Sequence, residues 1–126
     1  MESTVYTTKS APTPVGPYSQ AIRRGNILSV SGQVGLDPET GKLVEGGVAE
    51  QTRQTLANLG SILTNAGASF ADVVTTRIYI TQAADFAPMN EVYAKFVGEP
   101  FPCRTTVFVG LPPGMLVEID VLAVVD

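Results

Sequence analysis

Apolar residues recur at helical spacing in two stretches and alternate with polar ones through most of the remaining chain. Over residues 48–66, Val48, Thr52, Thr55/Leu56, Leu59, Ile62/Leu63 and Ala66 share one face of a 3.6-residue period, while Glu50, Arg53, Gln54 and Asn58 take the other. Asn65-Ala66-Gly67 supplies a stop. A second helical stripe runs through Phe86, Met89, Tyr93 and Phe96/Val97, with Asp85 placed to cap it and Gly98 to end it. Strands are predicted at residues 3–8, 18–23, 27–33, 73–80, 100–109 and 115–121, where β-branched residues alternate with polar ones.

Two connections have hairpin character. Arg24-Gly25-Asn26 joins two alternating runs, and Gly110-Leu111-Pro112-Pro113-Gly114 separates the last two strands. The second is expected to make an antiparallel hairpin. In it Arg104, Thr106 and Phe108 share a face of one strand, and Leu116, Glu118 and Asp120 share a face of the next. A strand, a long helix and another strand in succession imply a crossover with the two strands parallel. The expected architecture is a single α+β domain over residues 1–126: a mixed sheet with two helices on one face. The other face stays wet unless further subunits cover it.

Composition narrows the functions open to this fold. A 126-residue chain fits one domain that buries roughly two-thirds of its unfolded surface. Charged residues make up only 16%, which fits a surface partly covered by other subunits. Net charge is −4 and the longest basic run is Arg23-Arg24, so a nucleic-acid partner is disfavoured. No basic amphipathic helix suggests a membrane surface, residues 1–20 hold no apolar run of signal-peptide length, and one cysteine permits no internal disulfide. A cytoplasmic setting is the expectation. Histidine is absent, which removes Ser-His and Cys-His nucleophiles and most zinc sites. Chemistry here must use carboxylate, Tyr, Ser/Thr, Lys/Arg or backbone groups.

Within that set, Arg104 and Glu118 stand out as an arginine and a glutamate in otherwise apolar strands. They read either as an ion pair closing a sheet or as a carboxylate-binding fork beside an acid/base. Asp120 shares Glu118's face and is an equal candidate for the acid/base. Gly32 ends a strand, where glycine marks either a plain terminus or a close backbone approach. Cys103 has no histidine to make it a nucleophile.

Six segments, in order, resemble the YjgF/Rid family of reactive-intermediate or imine deaminases, also labelled as a translation inhibitor with ribonuclease activity. They are Gly16-Pro17-Tyr18-Ser19-Gln20-Ala21, Ser31-Gly32-Gln33, Asp37-Pro38-Glu39-Thr40-Gly41 and Gln51-Thr52-Arg53-Gln54-Thr55-Leu56-Ala57-Asn58-Leu59. The others are Asp85-Phe86-Ala87-Pro88-Met89-Asn90-Glu91-Val92-Tyr93, and Phe101-Pro102-Cys103-Arg104-Thr105 with Val117-Glu118-Ile119. The resemblance implies a chorismate-mutase-like subunit, a homotrimer with a central barrel of sheets, and clefts between subunits. It implies hydrolysis of 2-imino acids, such as 2-iminopropanoate and 2-iminobutanoate, to 2-keto acids and ammonia, with no cofactor and no metal. Such imines arise from enamines such as 2-aminoacrylate, released by pyridoxal-phosphate enzymes. By the same resemblance Arg104 binds the substrate carboxylate, Glu118 activates water, and Tyr18, Gly32, Asn90 and Thr106 are further cleft positions. Some members carry Cys where this chain has Thr106, a position that acts mainly through its main chain.

The residues suit that reaction. Arginine's flat fork binds a carboxylate through two parallel hydrogen bonds, and a protonated imine accepts water far more readily than an amide does. Orientation and one proton shuttle then suffice, and neither needs histidine. Two rival readings are an endoribonuclease acting on messenger RNA, which needs more positive charge, and a non-enzymatic trimer that senses a small metabolite or holds unfolded chains.

Overall fold

A computed structural model describes residues 1–126. The elements in chain order are β1 (Ser3–Tyr6), β2 (Ala21–Arg24), β3 (Ile27–Gln33), α1 (Val48–Asn65), β4 (Val73–Ile80), α2 (Phe86–Val97), β5 (Cys103–Phe108) and β6 (Val117–Val124). They form one six-stranded sheet in the order β1-β2-β3-β6-β4-β5, with β4 and β5 parallel and all other neighbours antiparallel. The α+β class and the mixed sheet are as the sequence implies. Gly25, at φ +61°, makes the β2–β3 turn a side chain would strain.

The expected Arg104–Glu118 hairpin does not form. β5 pairs in parallel with β4 at the sheet edge, whereas β6 runs between β3 and β4. The β3–α1–β4 crossover leaves β3 and β4 parallel but one strand apart, and β6 fills that slot with antiparallel bonds on both sides. A central position bonds β6 along both edges, which a terminal hairpin with β5 could not do. The loop through Pro112 and Pro113 is therefore a connection across β4, not a tight turn.

One face of the sheet is the core. Leu28 and Val30 of β3, Ile78 and Ile80 of β4, and Val117, Ile119, Val121 and Ala123 of β6 point at Leu56, Leu59, Ile62 and Leu63 of α1 and at Met89 and Tyr93 of α2, all at most 3% exposed. No helix covers the opposite face, which shows Ile22, Ile27 and Val124 to solvent. No helix is long and apolar enough to cross a membrane.

Buried amides fix the loops that flank the site. Gln20 holds the segment before β2, accepting from Thr8 N at 2.7 Å and donating to Pro12 O at 2.9 Å. Gln51 donates to Gly114 O and accepts from Leu116 N, both at 2.9 Å, which sets the entry to β6. Asn58, expected on the polar face of α1, is instead 1% exposed and donates to Val34 O and Leu36 O. Each satisfies loop backbone that would otherwise be buried without partners. Asp85 does not cap α2, because a preceding 3-10 turn already holds it in helical backbone (φ −84°, ψ −10°) instead of the extended form a cap needs. The strand expected at 18–23 starts only at Ala21, which leaves Tyr18 in the loop, and the one expected at 3–8 ends at Tyr6.

Candidate functional site

The sequence-predicted residues fall into two clusters on opposite faces of the sheet. The first lies along the β5 edge. Register places Arg104 beside Thr76 and Thr106 beside Ile78, so both face the helices. There α2 presents Tyr93 and Phe86, seven residues and two turns apart on one helix face. The Arg104 guanidinium carbon stands 5.1 Å from the Tyr93 ring centroid and 5.7 Å from that of Phe86. Arg104 belongs to none of the chain's three ion pairs, which are Glu50–Arg53, Arg77–Asp120 and Glu91–Lys95. An open cleft of about 360 Å³ is lined by Asn90, Tyr93, Ala94, Phe101, Pro102 and Arg104. Asn90 Oδ1 and Thr106 Oγ1 are buried without hydrogen-bond partners. A buried unpaired polar atom costs about 1–3 kcal/mol, so Asn90, on the lining it shares with Arg104, marks a place suited to a polar ligand.

The second cluster lies on the helix-free face. Two residues of β3, Ser31 and Gly32, oppose the single Asp120 of β6 between the Val30–Val121 and Gln33–Ile119 pairs, a bulge that lets Val30 and Gln33 both turn inward. A Cβ on Gly32 would stand 2.8 Å from Glu118 Oε2, so glycine leaves the room that this carboxylate occupies. Glu118 shares a cleft of about 180 Å³ with Tyr18, Gln33, Pro112 and Met115. Tyr18 is 48% exposed, and its hydroxyl accepts from Val15 N at 3.3 Å.

The two carboxylates of β6 are not equivalent. Asp120 accepts from Arg77 Nε at 2.7 Å and from Tyr79 Oη at 3.0 Å, so both its oxygens are engaged. Glu118 has no ion-pair partner, and burial, with a smaller contribution from the Asp120 charge, raises its carboxyl above the usual glutamate range. Tyr79 is likewise raised, chiefly by burial and then by its bond to Asp120.

Arg104 and Glu118 therefore do not meet within one chain. Glu118 is paired with Tyr79, whose side of the sheet is opposite that of Thr76 and Arg104. Two strand spacings, about 10 Å, and the thickness of the sheet separate them. Arg104, Asn90 and Thr106 form one group; Glu118, Gly32 and Tyr18 form the other. Sequence reasoning missed Tyr93 and Phe86 as site residues, since aromatic side chains at helical spacing carry the same signal as a core stripe. No group of metal-ligating side chains is assembled, and Cys103 is exposed.

Comparison with known proteins gives concordant matches. The model of a family described as endoribonuclease L-PSP matches residues 8–125. A RutC family protein of Pyrococcus horikoshii is 49% identical over 117 residues, 92% of this chain and 93% of that protein. A human protein named 2-iminobutanoate/2-iminopropanoate deaminase is 42% identical over 121 residues, 95% of this chain and 88% of its own. Among solved structures, E. coli TdcF with bound serine superposes with a TM-score of 0.93 at 35% identity, covering 98% of this chain and 99% of that one.

Proposed function

Since the chain belongs to the endoribonuclease L-PSP family, which includes the YjgF/Rid proteins, we propose that it hydrolyses small 2-imino acids, 2-iminopropanoate and 2-iminobutanoate among them, to 2-keto acids and ammonia. The observation that carries this reading is the state of Arg104: a guanidinium seated on two aromatic faces, bound to no carboxylate, in a cleft shared with the unpartnered Asn90 Oδ1. Such a group is ready to accept a planar carboxylate. The deaminase name of relatives and the serine in TdcF, itself a small carboxylate ligand, agree with it.

The catalytic cleft forms between copies. One copy offers Arg104, Asn90 and Thr106 along its β5 edge, and a neighbour offers Glu118, Gly32 and Tyr18 from its helix-free face. The thin charge, the bare sheet face and the exposed Phe101, Val107 and Phe108 at the β5 edge suit such an assembly, a homotrimer.

In the reaction, Arg104 holds the carboxylate through two parallel hydrogen bonds, and Asn90 and the Thr106 main chain complete that end. Glu118 removes a proton from water as its oxygen bonds to the imine carbon. The same carboxyl then returns that proton to nitrogen, and the carboxylate so freed takes the hydroxyl proton as ammonia leaves and the C=O of the keto acid forms, passing it on to solvent. A raised carboxyl suits both halves of that shuttle. Asp120, committed to Arg77 and Tyr79, is not the base. Tyr18 closes the cleft over the substrate.

The test couples a threonine or serine dehydratase to this protein in the presence of semicarbazide, which traps free imine. Wild type is expected to release keto acid faster than the trap captures imine. No acceleration over buffer overturns the assignment. RNA cleavage that disappears in Arg104→Ala would favour the ribonuclease reading instead.

A further inference from the structure

Arginine on an exposed edge strand would ordinarily sample many rotamers unless something fixes it. The usual fixer, a carboxylate, would occupy the donors a substrate needs. Here the fixing contacts are ring faces. They attract the guanidinium perpendicular to its plane and leave the in-plane N–H groups free.

We propose that Tyr93 and Phe86 form the seat that positions Arg104 for its carboxylate ligand, with Thr76 as the pin that holds Tyr93; this rests on the deaminase reading above. Three observations carry it. Both rings lie within 6 Å of the guanidinium carbon, at 5.1 and 5.7 Å. Tyr93 is 3% exposed and its hydroxyl meets Thr76 Oγ1 at 2.9 Å, with Thr76 fully buried, so this ring cannot turn away. Thr76 is also the residue paired with Arg104 across β4 and β5. Strand register, hydroxyl pair and ring contact thus make a closed circuit that fixes both ends of the arginine. Tyr93 and Phe86 are positioning residues, acting through Arg104.

The experiment measures kcat/KM for imine hydrolysis, and 2-ketobutyrate affinity by calorimetry, in Phe86→Leu, Tyr93→Leu, Tyr93→Phe and Thr76→Val. Phe86 is on the surface, so Phe86→Leu tests the seat even where Tyr93→Leu does not fold. Loss of one ring face is expected to weaken 2-ketobutyrate binding and lower kcat/KM by about 3- to 30-fold, mostly through KM. Tyr93→Phe and Thr76→Val keep the ring but remove the pin, and each is expected to lose part of what Tyr93→Leu loses; wild-type values in both would overturn the pin. In an Arg104→Ala background Phe86→Leu is expected to cost nothing more, which separates positioning from a general structural effect. A Phe86→Leu that binds and turns over as wild type, or that loses as much without Arg104 as with it, overturns the seat while the deaminase stands. Wild type that neither hydrolyses imine nor binds 2-ketobutyrate overturns both.

Discussion

Replacing Arg104 separates its role in binding from any role in folding. The side chain is exposed and in no ion pair, so its removal leaves no buried charge behind. Melting of Arg104→Ala is accordingly expected within a few degrees of wild type, since surface changes of this kind stay within about 0.5 kcal/mol. Activity is a different matter. Two charge-assisted hydrogen bonds at about 1.5–3 kcal/mol each give about 3–6 kcal/mol, or roughly 10²- to 10⁴-fold in kcat/KM. Arg104→Lys keeps the charge and one bond but loses the second parallel bond and the guanidinium contact with the Tyr93 and Phe86 rings. It is expected to recover only part of that loss. The assay is keto-acid release from a coupled dehydratase under semicarbazide, read against temperature melts of the same preparations. An Arg104→Ala protein within about threefold of wild type would refute the reasoning, given the two bonds assigned to that side chain.

Three further outcomes follow from the second cluster. Glu118→Gln is expected to lower kcat by about 10²- to 10⁴-fold with little change in keto-acid affinity. It is also expected to raise the melting temperature at neutral pH. Glu118's raised carboxyl binds its proton more tightly folded than unfolded, so its contribution to stability is present at low pH and lost as pH rises through the raised native value. The difference between wild type and Glu118→Gln should vanish below the ordinary glutamate range. Asp120→Asn removes the neighbouring anion, and the acid limb of kcat/KM is expected to move to lower pH; an unmoved limb would mean that Asp120's charge does not reach the base. Gly32→Ala puts a methyl group 2.8 Å from Glu118 Oε2, and the carboxylate tip must swing aside. A kcat loss of about tenfold or more with a near-normal melt is expected, since displacing a catalytic group by about 1 Å can cost up to 10²-fold.

Most elements were legible because their signals are local. Alternation marked β3 and β4 with the bounds they have, and the Phe86–Val97 helix and its Gly98 stop were equally plain. Pairing was not legible. Nothing in residues 115–121 says that their strand enters between β3 and β4, because that slot exists only after α1 has carried the chain across. The Pro-Pro loop before them carries the composition of a turn whether it joins neighbours or spans a strand. Asn58 read as a residue of the polar face of α1, since its partners are backbone groups of a distant loop. At the site, Arg104 and Glu118 could be named from the sequence but not placed. Their opposite faces follow from β5 pairing with β4, so an apparent neighbour pair becomes, in the proposed assembly, two complementary halves from different copies.

Subunit mixing tests that complementarity most directly. Arg104→Ala and Glu118→Gln chains, each nearly inactive alone, are co-expressed with different tags, and the mixed assemblies are isolated and assayed. If every site draws Arg104 from one copy and Glu118 from the next, each isolated mixed trimer keeps one of its sites intact, about one in three, whichever chain is in the majority. Recovery near one third of wild-type activity is the expected result. Mixed assemblies no more active than the two parent variants would contradict the shared cleft.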